Sequence, residues 1–101
     1  MGLLREMYFS AEAYKIALDI NEHIKKVQRS LIESGGNGNC YISSEVNLAK
    51  QKLDTLSRKA SECNPARVMY IKVCTPNGYE VPVLQYIADI TSTINEIKTL
   101  L

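Results

Sequence analysis

Residues 34–39 read Ser-Gly-Gly-Asn-Gly-Asn, and this segment separates two helical patterns. Its three glycines and two asparagines tolerate a positive φ, and a helix C-cap is the commonest use of such residues. A glycine-rich loop can also hold a phosphate, but the phosphate-binding motif requires a strand before it and Lys-Ser or Lys-Thr after it. Because a helical pattern precedes the segment and Cys-Tyr-Ile follows it, the sequence predicts a turn between two helices.

The pattern before this turn covers residues 3–33 and contains no Pro or Gly. Its apolar residues recur at gaps that are mostly three and four, which predicts one long helix with a buried stripe. Tyr8 is also expected in the core. The spacing assigns the stripe to Leu4, Met7, Ala11, Tyr14, Leu18, Ile24, Val27 and Leu31.

The pattern after the turn predicts a second helix that begins at Ser43 or Ser44, either of which is a good N-cap. Tyr41 then belongs to the loop before it. Asn64-Pro65 ends the helix, because the residue before a proline avoids helical geometry. The apolar residues have the gaps of a heptad seam, as in a coiled coil, and they are Val46, Ala49, Leu53, Leu56, Ala60 and Cys63.

Residues 67–81 change period and predict a short β-hairpin. The first strand is expected from Arg67 to Thr75, where β-branched and aromatic residues are concentrated. Thr75-Pro76-Asn77-Gly78 has the composition of a tight turn with glycine in the left-handed position. Tyr79 then opens a second strand. An isolated hairpin is marginally stable in water, so this one must pack on the helices or pair with another subunit.

A third helix is expected to follow, with Pro82 in its first turn. Its apolar residues have gaps of four, three, four, three and four, which makes this the most regular seam of the chain. Tyr86 lies off the seam. We expect the seam to form a subunit interface that consists of Val83, Ile87, Ile90, Ile94, Ile97 and Leu101.

The sequence therefore predicts a single, mostly α domain over residues 1–101 with a minor β component. The order is long helix, Gly-rich turn, second helix, short β-hairpin at about 67–81 and C-terminal helix. Long helices with sustained heptads often complete their core through a second subunit. We expect an elongated helical bundle that forms a homo-oligomer.

Composition narrows the possible partners. Twelve basic and eleven acidic side chains give a net charge of +1, whereas nucleic-acid binders usually carry a clear basic excess. No apolar run approaches the roughly 20 residues that cross a bilayer. Three cysteines at irregular spacings favour reduced thiols, and no signal peptide is recognisable. We therefore expect neither a nucleic acid nor a membrane as the partner, and we expect a cytoplasmic protein of bacterial or phage type.

Catalytic chemistry has little support in the sequence. His23 is the only histidine, and tryptophan is absent. A Cys–His dyad would require His23 beside Cys40, Cys63 or Cys74, and a structural zinc site would require all four of these residues to converge. The acidic residues of the first helix alternate with basic ones, as on a solvated face. We expect a protein that is not an enzyme and that has no metal or cofactor.

Two binding functions remain. The first is a protein–protein interface of the inhibitor, adaptor, antitoxin or chaperone type, for which the unpaired edges of the hairpin also suit a partner strand. The alternative is an inter-subunit groove for a small phosphorylated ligand such as a nucleotide or cyclic dinucleotide, because tyrosines stack on bases and cations clamp phosphates. The candidate ligand-binding residues are Lys25, Arg29, Tyr41, Lys50, Arg67, Tyr70, Lys72 and Tyr79.

Overall fold

The computed structural model describes residues 2–34 and 39–100 of the chain, and it describes side chains for 7–33 and 42–100. The fold is mostly helical with one two-stranded sheet. The Gly-rich turn at 35–38 and Leu101 lie outside the described residues. The elements are α1 (Gly2–Ser34), α2 (Asn39–Ser61), α3 (Pro65–Val68), β1 (Lys72–Cys74), β2 (Glu80–Pro82) and α4 (Val83–Leu100).

The first two helices pack side by side and antiparallel. Lys52 Nζ lies 3.7 Å from Asp19 Oδ2, and Lys59 Nζ lies 2.7 Å from Glu12 Oε1. The earlier residue of α1 thus pairs with the later residue of α2, as in an antiparallel arrangement. Small alanines on both helices allow the two backbones to approach closely. The buried residues along this pairing are Phe9, Ala13, Ala17, Ile20, Ile24 and Val27 on α1, with Ile42, Val46, Ala49, Leu53, Leu56 and Ala60 on α2.

The predicted stripe of α1 is correct in its second half and wrong in its first half. Ile24 and Val27 are fully buried, and Leu31 packs against the core. In the first half the core uses Phe9, Ala13 and Ala17 instead. These residues have the same helical spacing but point to another side, and the bulkier alternatives gave the stronger signal. The predicted residues that are exposed are Met7, Ala11, Tyr14 and Leu18, and Tyr8 is exposed as well. The side chain of Leu4 is outside the described residues.

The six seam residues are all buried as predicted, but α2 ends at Ser61, so Cys63 lies in the turn after the helix. The start of the helix is wrong by about one turn. The helix already includes Asn39, so Ser43 and Ser44 lie within it. Tyr41 is consequently part of the helix and not of a loop.

The hairpin is shorter than predicted, because its first part is a helical turn. Asn64 caps this turn by accepting the Ala66 N–H at 2.9 Å, and Pro65 fits its first position. Arg67 therefore lies in α3 and Tyr70 in the turn after it, and neither belongs to a strand. The strands pair antiparallel in the register Lys72 with Pro82, Val73 with Val81 and Cys74 with Glu80.

The turn of the hairpin is confirmed. Gly78 has φ +90°, and its N–H donates to the Thr75 carbonyl at 2.9 Å. A side chain would be strained at this φ. The third helix begins one residue later than predicted, because Pro82 ends β2.

The α4 helix runs parallel to α1, since Tyr86 near its start contacts Ala17 and Asn21, and Thr93 further along shares a cleft with Gln28. It packs on α2 and on the hairpin. This packing corrects the expected use of its seam as a subunit surface, because one chain already buries most of it. Among the described seam residues, Val83, Ile90, Ile94 and Ile97 are buried, and Ile87 packs against the core.

Candidate functional site

The side of α1 that faces away from the core carries an apolar surface. We call Met7, Ala11, Tyr14 and Leu18 the outer stripe. Met7 is 63% exposed, Tyr14 is 41% exposed and Leu18 is 43% exposed, and Ala11 is also exposed. The gaps of four, three and four residues keep the four side chains on one line. The line is about 16 Å long at 1.5 Å per residue.

The outer stripe is separate from the surface that α1 buries. At about 100° per residue, its centre lies roughly 130° around the helix from the line of Phe9, Ala13 and Ala17. Its spacing is that of the a and d positions of a coiled coil, in which such side chains insert between those of a facing helix. Within the described part of the chain, no element packs over it. This helix therefore has two apolar lines, and the described elements bury only one of them.

Charged residues and the hairpin limit the outer stripe. Lys15 and Glu22 are exposed along one edge. The next two positions of the same spacing after Leu18 are Asn21 and Lys25, which are polar, so the apolar character ends at Leu18. Beyond Leu18 the turn of the hairpin lies beside α1 and forms a cleft of about 400 Å³ with it. The cleft is lined by Leu18, Asp19, Asn21, Glu22, Lys25 and residues 74–78.

A buried amide fixes the hairpin beside the outer stripe. Asn21 is only 4% exposed, and its Nδ2 donates to the Cys74 carbonyl at 2.7 Å. Its Oδ1 accepts from the Tyr86 hydroxyl at 2.7 Å, and that hydroxyl also lies 3.1 Å from the Ala17 carbonyl. Burial raises the pKa of Tyr86 well above its ordinary value, and the nearby thiol of Cys74 adds to the effect. One side chain thus connects α1, β1 and α4.

Part of the backbone at the edges of the hairpin is already used. Val83 N–H donates to the Ile71 carbonyl, and the bonded pairs of an antiparallel ladder alternate with pairs that point outward. The outward pairs are therefore Lys72 with Pro82 and Cys74 with Glu80. Asn21 occupies the Cys74 carbonyl, and Pro82 has no N–H to donate. Strand addition, which the sequence suggested, stays a prediction.

The structure distributes the predicted ligand-binding residues over several places. Lys25 lines the cleft beside the hairpin turn, while Tyr79 lines a second cleft of about 250 Å³ on the α4 side of that turn. Lys50 lies 3.4 Å from Asp54 on its own helix. Arg29 is exposed near the end of α1. Three further residues follow the end of α2 in the chain: Arg67 lies in α3, Tyr70 in the turn after it and Lys72 at the start of β1.

These positions do not form one site within a single chain. The side chain of Tyr41 is outside the described residues. The phosphorylated ligand was expected in a groove between subunits, and it stays a prediction.

Sequence reasoning did not predict the contact between His23 and Glu45. His23 Nδ1 contacts Glu45 Oε2 across α1 and α2, and both side chains are largely buried, at 17% and 13% exposed. When two helices are antiparallel, the residue numbers of facing residues add up to a nearly constant sum. Asp19–Lys52 and Glu12–Lys59 have the same sum, and His23–Glu45 has a similar one. An antiparallel arrangement of α1 and α2 therefore predicts this contact.

The described cysteines are not placed to use this histidine. Cys63 lines a cleft with Phe9, which lies more than three turns before His23 on α1. The Cys74 carbonyl contacts Asn21 on another side of the same helix. The contact between His23 and Glu45 therefore joins α1 and α2, and its carboxylate and imidazole face no described thiol.

A third cleft, of about 470 Å³, lies between the first turns of α1 and the end of α2. It is lined by Tyr8, Phe9, Glu12, Lys59, Glu62 and Cys63. Lys59 and Glu12 at its rim form an ion pair with each other. The Cys63 thiol lies 3.5 Å from the Lys59 carbonyl, within its own chain segment. This cleft is polar at its rim and holds no arrangement that selects one ligand.

Over residues 2–34 and 39–100, the structure contains no group of three or more His, Cys, Asp or Glu residues placed to hold a metal ion. None of the described helices is long and apolar enough to cross a membrane. The outer stripe of α1 is therefore the feature that most needs an explanation. Comparisons with protein-family models, curated proteins and solved structures find no match to the chain.

Proposed function

We propose that the chain is a cytoplasmic, non-enzymatic helical binding protein that acts through a protein–protein interface as a homo-oligomer. In this proposal it belongs among inhibitors, adaptors, antitoxins or chaperone-type proteins. The elongated bundle serves as a scaffold that presents one apolar face of α1. The seam of α4 keeps the scaffold folded, and the outer stripe makes the interface.

The observation that supports this proposal is the exposure of the outer stripe at heptad spacing. The largest apolar patch on a soluble protein is often a functional surface. Tyr14 and Leu18 are each about two-fifths exposed although they lie in the middle of a long helix. A helix that needs only one buried line would ordinarily carry polar residues here.

The size of the surface predicts the strength of association. Covering Met7, Tyr14 and Leu18 removes on the order of 300 Å² of apolar surface per chain, or roughly 7 kcal/mol at 25 cal/mol per Å². Two such faces together remain below the roughly 1,200–2,000 Å² of standard stable interfaces. Lost translational and rotational freedom offsets much of the gain. We therefore expect reversible association in the micromolar range.

The experiment is sedimentation velocity together with native mass spectrometry of the wild type and of Tyr14→Glu. A buried glutamate would leave an unpaired charge in the interface, so the variant is expected to be a monomer with unchanged helical circular dichroism. The matched control is Tyr79→Glu, which makes the same change at a side chain that is more exposed, at 71%. The control is expected to associate like the wild type.

The outcomes separate the two binding functions. Association that Tyr14→Glu abolishes and Tyr79→Glu preserves supports the proposal. A wild type that stays monomeric at hundreds of micromolar contradicts it. A small molecule retained in the native spectrum would instead favour the phosphorylated ligand, and Lys25→Ala and Arg29→Ala would then be tested for loss of the retained mass.

A further inference from the structure

We infer that the cleft of about 250 Å³ between the hairpin turn and α4 binds an arginine side chain of a partner protein. We call it the α4 cleft. The inference rests on the proposed function, to which it adds one chemical feature of the partner, and it concerns a surface other than the outer stripe. Pockets for drug-sized ligands have volumes of about 300–1,000 Å³. A cleft below that range is suited to a single side chain.

The inner wall of the α4 cleft is apolar and aromatic. Ile24, Tyr86 and Ile90 line it and are buried. The Tyr86 hydroxyl is already bonded to Asn21, so this residue offers its ring to the cleft. Tyr79 also lines the cleft and is 71% exposed. Two aromatic rings are thus available to a ligand, and a cation placed over the face of such a ring is attracted by it.

Polar side chains of the α4 cleft supply hydrogen-bond acceptors that are not yet used. Gln28, Asn77 and Asp89 line the cleft and are exposed. Over residues 7–33 and 42–100, no hydrogen bond or ion pair engages their side chains. Thr93 Oγ1 donates to the backbone carbonyl of Asp89 at 3.1 Å, so this hydroxyl is used within α4 and not on the carboxylate. A guanidinium group has five N–H donors in one plane and can bond both oxygens of a carboxylate.

The charge of the α4 cleft favours a cation. Asp89 is the charged residue among the described residues that line it. The cleft on the other side of the same turn is lined by Asp19, Glu22 and Lys25, so acidic side chains outnumber basic ones around the turn. Residues 76–101 contain three acidic side chains and one basic one, although the whole chain has a net charge of +1. A phosphate group would be repelled by the Asp89 carboxylate, whereas a cation is attracted by it.

Arginine fits these surroundings better than lysine. Its guanidinium group is flat and weakly hydrated, and it can stack on an aromatic ring while its edge bonds a carboxylate. The lysine ammonium is a compact and strongly hydrated charge, and it has no flat face for the rings of Tyr79 and Tyr86. Arginine is also among the residues that most often dominate the binding energy of a protein–protein interface. The partner is therefore expected to present an exposed arginine.

A nuclear magnetic resonance titration of the isotope-labelled full chain tests the α4 cleft with three short peptides. The probe is acetyl-Gly-Arg-Gly-amide. One comparison peptide has citrulline in place of arginine, which keeps the shape and removes the charge, and the other has lysine. We expect the arginine peptide to shift the amide resonances of residues 75–79 and 89–93 with millimolar affinity. The citrulline peptide should bind at least fivefold more weakly, and the lysine peptide at least twofold more weakly.

Matched variants separate the cleft from the general charge of the chain. Asp89→Asn removes the carboxylate and is expected to weaken binding of the arginine peptide at least fivefold. Glu96→Gln makes the same kind of change two turns further along α4, at an exposed side chain, and should leave the affinity unchanged. Tyr79→Leu removes the exposed ring and is expected to weaken binding about two- to threefold. Circular dichroism checks that each variant keeps its helices.

The outcomes of the titration decide the inference. Arginine and citrulline peptides that bind equally would overturn it, as would equal losses in Asp89→Asn and Glu96→Gln. An absence of shifts at tens of millimolar peptide would overturn it as well. Agmatine, a free guanidinium compound, is the last probe. Agmatine that binds tenfold more tightly than the arginine peptide would assign the cleft to a small molecule and overturn the partner protein as its source.

The proposed function can fail separately from this inference. Sedimentation of Tyr14→Glu tests the outer stripe, and Tyr14 does not line the α4 cleft. A wild type that stays monomeric but binds the arginine peptide would contradict the outer stripe and support the cleft. Association that Tyr14→Glu abolishes, without any binding of the peptide, would leave the proposed function standing and overturn this inference.

Discussion

The two apolar lines of α1 have the same spacing and opposite surroundings. The inner line of Phe9, Ala13 and Ala17 is buried against the rest of the chain, whereas Met7, Tyr14 and Leu18 of the outer stripe remain exposed. The inner line is rich in small residues, which allow helices to approach closely. The outer stripe is rich in large ones, which insert into a facing surface. The comparison shows that periodicity identifies an apolar line on a helix. The size of its residues then indicates whether a facing helix can approach closely or is held further away by large side chains.

The largest expected effect separates the two lines by stability. Ile20→Ala removes a fully buried side chain one turn beyond the inner line, on the same buried face of α1, and is expected to lower the free energy of unfolding by about 2–5 kcal/mol. Leu18→Ala on the outer stripe is expected to change it by less than about 0.5 kcal/mol once the chain is monomeric. Urea denaturation of Tyr14→Glu with each added change measures both. Equal losses at the two positions would contradict the distinction.

The next effect concerns the amide that fixes the hairpin. Tyr86→Phe removes the hydroxyl that donates to Asn21 and leaves the Oδ1 of that buried amide without this partner. We expect a loss of about 1–3 kcal/mol in the free energy of unfolding. Thr91→Ala is the control, because it removes a hydroxyl that only bonds within α4 and is exposed. A variant as stable as the wild type would show that the amide finds another donor.

Alkaline pH tests the same residue without a mutation. The pKa of Tyr86 is raised in the folded state, so the protonated phenol contributes stability that is fully present below the ordinary tyrosine pKa of about 10. That stability is lost as the pH rises through the higher pKa of the folded state. Tyrosinate absorbance and circular dichroism recorded together should show Tyr86 ionising with loss of helix. Ionisation of Tyr86 at its ordinary pKa in a protein that keeps its helices would contradict this expectation.

The smallest effect is expected at the ion pair that bridges α1 and α2 outside the core. Lys59 and Glu12 are in contact but remain substantially exposed, and such pairs contribute about 0.2–1 kcal/mol. Glu12→Gln should lower the midpoint of denaturation slightly, and added salt should reduce the difference from the wild type. An effect as large as that of Ile20→Ala would mean that this rim is part of the core.

The sequence predicted the elements that have only one choice of face. The seam of α2 has a single apolar line, and all of its residues are buried as expected. In α1 two apolar lines have helical spacing, and the position of α2 determines that the line with Ala13 is buried and the line with Tyr14 is exposed. The buried position of Ile90 follows from α4 folding back on α2, which spacing cannot reveal. Asn64 and Pro65 carried a readable signal for α3 that the β-branched residues after them obscured.

The candidate site was less predictable than the fold, because a helix face is exposed only if no other element packs over it. The spacing of residues along one helix does not show where the other elements pack. The residues of the outer stripe were all found, yet they were assigned to the interior. Predicting the contact of His23 with Glu45 would have required the register between α1 and α2. That register becomes visible only from the ion pairs further along the two helices. Asn21 offered no pattern at all, since its importance comes from a carbonyl and a hydroxyl far along the chain.

That last distance has a consequence for the order in which the chain folds. Asn21 bonds to groups 53 and 65 residues away, whereas α1 and α2 are neighbours in sequence and close a much shorter loop. Nearby contacts form sooner than distant ones, so the first two helices should associate while the amide still bonds to water. Docking of α4 then removes that water and secures the hairpin in one step. The final step of folding is thus the one that completes the flank of the outer stripe, and a chain that stops before it presents a surface of a different shape.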